Sequence, residues 1–236
     1  MRIIRAPTIA RAHELVVKMI LEKGVPIGTE DGEATIEGDT IAIRVENPFT
    51  APMVSPASRF QMRFMEEYAR SLLHGSDSVF EYDYHGRLFN WGERLIGGGE
   101  DLHIDQIEYI IQKLREAPLS RRAMAITWNP FIDERLNECP CLQLLQCNIR
   151  EGKLHMKVVF RSNDMLTASG ANMFALVHLQ KLIADRLNIP CGSYTHIALV
   201  PHIYYRRDVT DIPPFCHEGE EIQPIPAVCE ACGRCG

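Results

Sequence analysis

The chain has no apolar run approaching the roughly eighteen residues that a membrane-spanning helix requires. Its first residues, Met1-Arg2-Ile3-Ile4-Arg5-Ala6-Pro7, lack the long apolar core of a signal peptide. Basic charge is not in excess either. Lysine and arginine total 25 against 31 aspartates and glutamates, a net charge of −6, so a global field for nucleic acid is absent and any polyanion site must be local. No internal repeat or interdomain linker is visible. These absences predict a cytoplasmic protein with no membrane and no nucleic-acid partner, in a compartment where thiols stay reduced. The 236 residues are 46% apolar, enough to build a substantial core for one large domain.

What the chain does have is eight cysteines. In a reducing compartment these are structural, catalytic or metal-binding rather than paired. Cys141 lies in Asn137-Glu138-Cys139-Pro140-Cys141-Leu142-Gln143, with Arg121-Arg122 upstream and Arg161-Ser162-Asn163-Asp164 downstream. A free cysteine is most often a small buried apolar residue. To act as a nucleophile it needs nearby positive charge or a helix terminus that favours the thiolate, and Arg121, Arg122 and Arg161 are the candidates. Cys139 competes, because residues two apart on a strand face one side. Arg161 ends a strand that should be buried, where a guanidinium needs an anionic partner; with the Ser162 hydroxyl it would suit phosphate.

Periodicity predicts an α+β fold: a single domain with a mixed or antiparallel sheet covered by helices. Helices are expected over Thr8–Lys23, Arg59–Leu73, Ile104–Leu114 and Asn172–Leu187. Thr35–Glu46 reads as a strand pair around Gly38-Asp39. Phe80, Tyr82 and Tyr84 alternate as on a strand face, or line a ligand pocket. Ala123–Trp128 reads as a short strand, Leu142–Arg150 and Lys153–Phe160 as a hairpin turning at Glu151-Gly152, and Ser193–Tyr205 as a last strand. After Pro213-Pro214 the chain turns polar and irregular.

Ser120-Arg121-Arg122, Trp128-Asn129-Pro130, Pro140-Cys141, Arg161-Ser162-Asn163-Asp164, Asn172 and His202-Ile203-Tyr204 occur in that order. Together they resemble the thymidylate synthase family over about residues 79 to 208, and the compact chain is most similar to its divergent archaeal branch. The resemblance implies that Cys141, through the Pro-Cys match, is the nucleophile toward carbon 6 of dUMP. It implies that Arg161 and Ser162 hold the phosphate, and that Arg121 and Arg122 come from the partner subunit of a homodimer with shared active sites. Asn172 would read the pyrimidine edge, a carboxamide suiting uracil, although a helix cap is its structural alternative. His202 and Tyr204 would bind the deoxyribose 3′-hydroxyl, and Asp164 would contact the base. Tyr84, in Tyr84-His85-Gly86-Arg87-Leu88, matches the family's proton-removing tyrosine, with Tyr82 as its rival. Glu66 and Glu67 are candidates for a glutamate serving the base carbonyl. The implied carrier is 5,10-methylenetetrahydrofolate or methylenetetrahydromethanopterin.

The chain also departs from the family pattern. Leu142 stands where histidine is usual, Phe160 for a glutamine, Ala168 for a glycine. Gly28–Asp39, where a loop arginine is usual, contains none; Arg5 or Arg44 are possible substitutes. Residues 1–215 are expected to form the catalytic domain and 216–236 a cysteine-rich tail. There, Cys229, Cys232 and Cys235 have a metal-like spacing, with Cys216 or His217 as a fourth zinc ligand. A nucleotide hydroxymethylase using the same thiol is the enzymatic alternative, and a non-catalytic nucleotide- or metal-binding protein the alternative of another class.

Overall fold

The computed structural model describes residues 1–76, 83–92, 103–217 and 222–233. Strand β1 (Arg2–Ala6) runs into Pro7, and Thr8 then caps helix α1 (Ile9–Lys23), its Oγ1 accepting the Arg11 N–H at 3.2 Å. Next come β2 (Val25–Gly28), β3 (Ala34–Glu37), β4 (Ile41–Val45) and helices α2 (Met62–His74), α3 (Tyr84–Phe89) and α4 (Gln106–Glu116). The second half contributes β5 (Met124–Ile126), β6 (Leu142–Arg150), β7 (Lys153–Asp164), α5 (Ser169–Leu187), β8 (Cys191–Ile203), α6 (Ile212–His217) and α7 (Pro226–Cys232).

One mixed sheet runs β1-β4-β8-β7-β6-β5, and β2 and β3 extend it through pairing of β3 with β8. The pairs β1/β4 and β7/β8 are parallel. Parallel neighbours need a long crossover, and α5 supplies it between β7 and β8. This helix is buried along most of its length, with α1, α2 and α4 packed around it. The result is the expected α+β fold with a continuous apolar core. The hairpin at Glu151-Gly152 forms as predicted. Both residues have positive φ, 53° and 70°, which suits a two-residue turn that follows the twist of its strands.

Several local expectations are corrected. Thr35–Glu46 contains two strands, but they do not pair with each other; β3 and β4 lie end to end along β8, at Ile36↔Ile203 and Ile41↔Ala198. The long central strand offered more ladder partners than a hairpin could. Tyr84 begins a helix, not a strand, because the Asp83 carboxylate accepts the Gly86 N–H at 2.5 Å and caps it; Phe80 and Tyr82 lie outside the described residues. Asn172 sits inside α5 rather than at its cap. Beyond Pro213-Pro214, α6 runs on to His217 and α7 covers Pro226–Cys232, and Phe215, Cys216 and Val228 are buried in the core. The Ile225 N–H donates to the Leu21 carbonyl at 2.9 Å, holding α7 against α1.

Arg87 is buried to the last few per cent, and so is its partner, Asp133. Two parallel N–H···O bonds of 2.6 and 2.7 Å join them, and a third runs from Arg87 to the Thr127 carbonyl. The same carboxylate accepts the Asn129 N–H at 2.6 Å. This pair ties α3 to the segment leading to Cys139-Pro140-Cys141. Breaking a buried pair strands the other charge, so Arg87→Met should destabilise the fold by about 3–5 kcal/mol. Adding Asp133→Leu should recover part of that loss. Urea denaturation of the two variants checks this; equal stability of Arg87→Met and wild type would contradict it.

Candidate active site

The carboxyl ends of β7 and β8 open into a cleft of about 750 Å3, within the roughly 300–1,000 Å3 of small-molecule sites. The parallel register sets Asp164 opposite His202. The cleft is lined by Cys141, Tyr84, Arg161, Ser162, Asp164, Asn172, His202 and Tyr204, so the structure brings together residues from α3, β7, α5 and β8. Arg121 and Arg122 do not line it. They are exposed beside the edge strand β5, where the Arg121 carbonyl accepts from Gln146 and the Arg122 carbonyl from Tyr109.

Cys141 sits just before β6, beside an irregularity: Leu142 pairs with Phe160 but Leu144 with Val159, leaving Gln143 as the extra residue. A bulge of this kind bends a strand and re-aims the side chains next to it. Arg161 holds the segment. Its backbone N–H donates to the Cys141 carbonyl at 2.8 Å, its Nε to the Pro140 carbonyl at 3.1 Å and its Nη2 to the Cys139 carbonyl at 2.8 Å. A guanidinium has five N–H donors, so the clamp leaves others for an anion. Cys139 also lines the cleft, but its thiol donates to the Asp133 carbonyl at 3.0 Å. Burial pushes the Cys141 thiol above its ordinary pKa, and the Arg161 charge opposes that shift without cancelling it.

Around the thiol, polar groups are tied in pairs. The Leu142 N–H donates to the Tyr84 phenol oxygen at 3.0 Å. Ser162 Oγ and His202 Nδ1 lie 3.3 Å apart, and the His202 and Tyr204 rings meet edge to face at 5.0 Å. Asp164 accepts the backbone N–H groups of Leu166 and Thr167 and the Thr167 hydroxyl, so it shapes the turn into α5 as well as facing the cleft. Leu142 and Phe160, two departures from the family pattern, are buried cross-strand partners. With Tyr68, Tyr84 and Asn172 they wall a small apolar recess beside the cleft.

Glu66 and Glu67 are both exposed, and Glu67 pairs with Arg63 at 3.1 Å. Neither lines the cleft; Tyr68 does, from the inner face of the same helix, and its hydroxyl donates to Asn172 Oδ1 at 2.8 Å. Arg5 and Arg44 are likewise outside the cleft lining; Arg44 pairs with Glu46 at 2.7 Å. The arginine that lines it besides Arg161 is Arg207, stacked over Tyr204 at 3.9 Å and bonded to Asp164 at 3.0 Å. Asn163 also lines it. Its Oδ1 accepts from His196 Nε2 at 2.8 Å, while His196 Nδ1 accepts the Tyr194 hydroxyl at 3.0 Å. Burial holds His196 down to about 3, so the imidazole is neutral and its two nitrogens have fixed roles. Arg207, Tyr68 and Asn163 were missed in the sequence. The signals were the Arg206-Arg207 pair after Tyr204-Tyr205 and the place of Asn163 inside Arg161-Ser162-Asn163-Asp164.

In the tail, Cys229 donates to the Pro224 carbonyl at 3.4 Å, and Cys235 lies outside the described residues. Among the described residues, no group of three His, Cys, Asp or Glu side chains is arranged to hold a metal ion. No helix among them is long and apolar enough to cross a membrane.

Comparison with known proteins gives a consistent result. The family model for thymidylate synthase matches residues 61–213. A protein of Methanocaldococcus jannaschii named "Putative thymidylate synthase" is 40% identical over 220 residues, covering 91% of this chain and 96% of that protein. Proteins of the same name from Methanosarcina acetivorans and Methanopyrus kandleri are 38% and 30% identical, covering 86% and 89% of this chain and 89% and 96% of their own lengths.

The electrostatics of Cys141 lead to a direct test. Alkylation of its thiol, followed by peptide mapping across a pH series, should show an inflection above the ordinary thiol value, because burial disfavours the thiolate. Arg161→Gln should move the inflection further up. An inflection below the ordinary value, or one that Arg161→Gln leaves in place, would contradict this account.

Proposed function

The chain belongs to the thymidylate synthase family, and on that premise we propose that it converts dUMP to dTMP through a covalent adduct on Cys141. One observation carries the reading. The Cys141 thiol, Arg161 with Ser162, the Asn172 amide and the His202–Tyr204 pair line a single cleft large enough for a nucleotide. Arg161 and Ser162 take the phosphate, His202 and Tyr204 the 3′-hydroxyl, and Asn172 the edge of uracil. The open edge of the sheet carries exposed Met124 and Ile126, beside Arg121 and Arg122. A homodimer that covers this region would put both arginines at the interface, where the resemblance assigns them to the partner's phosphate site.

In the reaction the Cys141 sulfur bonds to carbon 6, and the electron pair of the 5,6 double bond moves onto carbon 5 and the carbonyl at position 4. The Asn172 amide stabilises that carbonyl as charge develops. Because burial disfavours the thiolate, the thiol proton passes to water in the cleft as the C–S bond forms and returns when the thiolate departs. Carbon 5 would then bond to the carrier's methylene carbon, and Tyr84 would take the proton lost from carbon 5 while passing its own to water; the bond from that carbon to the carrier's nitrogen would break, a hydride would complete the methyl group, and departure of the Cys141 thiolate from carbon 6 would restore the double bond. The covalent route divides one hard alkylation into easier steps.

A reduced pterin bearing a methylene group, on tetrahydrofolate or tetrahydromethanopterin, supplies the carbon and, by its oxidation, the hydride. The residues fit such a flat ring system. Phe60, Phe64 and Tyr68 stack along the start of α2 beside the cleft, with centroid separations of 4.1 and 6.2 Å, and Phe64 is 38% exposed.

The reading is tested by tritium release from carbon 5 of labelled dUMP, run in parallel with both carriers. Wild type should release tritium with at least one carrier and form dTMP. Cys141→Ser should be slower by about 10³-fold or more, as for loss of a nucleophile. A hydroxymethylated nucleotide with no oxidised pterin would overturn the methylation step. Release no faster than from Cys141→Ser with either carrier would overturn the enzyme reading.

A further inference from the structure

We propose that Asn163 is a further substrate-binding residue, whose side-chain nitrogen is a fixed hydrogen-bond donor for an oxygen of the bound nucleotide. A buried chain from Tyr194 through His196 sets which end of the amide faces the cleft. This rests on the reading of the cleft as a nucleotide site.

Asn163 stands between Ser162 and Asp164 on β7 and lines the cleft with them, although it is only 3% exposed. Behind it, Tyr194 and His196 on β8 are wholly buried. The His196 ring is held against Phe160, at 4.6 Å and within 16° of parallel. Two hydrogen bonds join the three side chains. One links the Tyr194 hydroxyl to His196 Nδ1 at 3.0 Å, the other His196 Nε2 to Asn163 Oδ1 at 2.8 Å.

The direction of this chain follows from the Tyr194 hydroxyl. Burial keeps the phenol protonated, and among the described residues His196 is its one hydrogen-bond partner. The hydroxyl proton therefore points at Nδ1. Burial also keeps His196 neutral, and a neutral imidazole has a single N–H, which must then sit on Nε2. It requires an acceptor, and the Asn163 amide offers one in Oδ1. The reversed chain would run from Asn163 Nδ2 to Nε2 and from Nδ1–H to the phenol oxygen. It makes as many hydrogen bonds but strands the Tyr194 hydroxyl proton in the core, which disfavours it by about tenfold or more.

The Asn163 nitrogen is thereby turned away from the core. It carries two N–H donors and has no partner among the described residues. It is not one of their enclosed unpartnered atoms either, so it meets open space, and the cavity that Asn163 adjoins is the cleft. What meets this nitrogen in a filled cleft must be an acceptor. The phosphate, sugar and carbonyl oxygens of a nucleotide are acceptors, and a donor already held in place loses little freedom on binding one.

Asn163→Asp tests the contact. The carboxylate keeps an oxygen for the His196 N–H, so the chain survives, but an acceptor replaces the donor at the cleft. Asn163→Ala removes both ends. Affinities come from titration calorimetry at about pH 8, where the new carboxylate is ionised, in about 1 M salt, where the screening length is about 3 Å. Asn163→Ala should bind dUMP about tenfold more weakly than wild type, the scale of one hydrogen bond, and Asn163→Asp at least as weakly as Asn163→Ala. A structural role alone gives the opposite order, with Asn163→Asp close to wild type, and that order would overturn the proposal. So would unchanged binding in both variants, while leaving the nucleotide reading intact. Deoxyuridine run beside dUMP locates the acceptor: a loss with dUMP alone puts it on the phosphate, and an equal loss with both puts it on the sugar or base. Nitrogen NMR of the imidazoles is the independent check. His196 should carry its proton on Nε2, and a proton on Nδ1 would overturn the proposal whatever the affinities. Wild type that binds no dUMP would overturn the nucleotide reading and the proposal with it.

Discussion

The geometry of the cleft depends on two arginines that grip the chain between Thr127 and Cys141 at two points. Arg87, fully buried, fastens α3 to the segment around Asp133. Arg161, at the cleft, holds the carbonyls of Cys139, Pro140 and Cys141. Between these anchors the thiol-bearing segment has little freedom, although Cys139-Pro140-Cys141 belongs to no helix or strand. A buried ion pair adds little net stability compared with apolar packing. Its value here lies in direction, because a planar fork meeting a carboxylate fixes both distance and angle. Tyr84 on one side and Cys141 on the other are therefore placed by the same bond.

The departures from the family pattern form a coherent set in three dimensions. Leu142 and Phe160 are far apart in sequence but opposite each other across β6 and β7. An apolar pair replaces a polar one there, and polarity reappears nearby. Tyr68 bonds the Asn172 amide, and the Tyr194–His196–Asn163 chain reaches the cleft from the core, with Phe160 stacked on His196 at 4.6 Å. Arg207 adds a guanidinium at the cleft wall, while the loop without arginine contributes Glu30 and Asp31 to its lining. The thiol is largely buried, and burial outweighs the Arg161 charge in shifting its pKa.

Much of this was legible in the sequence where local rules decide. Glu151-Gly152 needed only a turn that tolerates positive φ, and α1 needed only its stripe and Thr8. Many of the residues that line the cleft could be named in advance because short motifs occur in a fixed order. What could not be read depended on partners distant in the chain. Thr35–Glu46 looked like a hairpin, yet both strands were claimed by β8, which no local pattern reveals. Tyr84 alternated with Phe80 and Tyr82 as a strand would, but the Asp83 cap outweighed that pattern. Glu66 and Glu67 drew attention by charge. The helical period turns both outward and brings Tyr68 inward, and only the packing of α2 on α5 shows that.

The central claim is that the two arginine anchors present Cys141, and not Cys139, as the nucleophile of a nucleotide site. It is tested most directly by incubating the protein with 5-fluoro-dUMP and a methylene-bearing reduced pterin, then mapping any covalent adduct by intact mass and peptide sequencing. The account predicts one nucleotide joined to the Cys141 sulfur, with none in Cys141→Ser. An adduct on Cys139, or one that persists in Cys141→Ser, would contradict it.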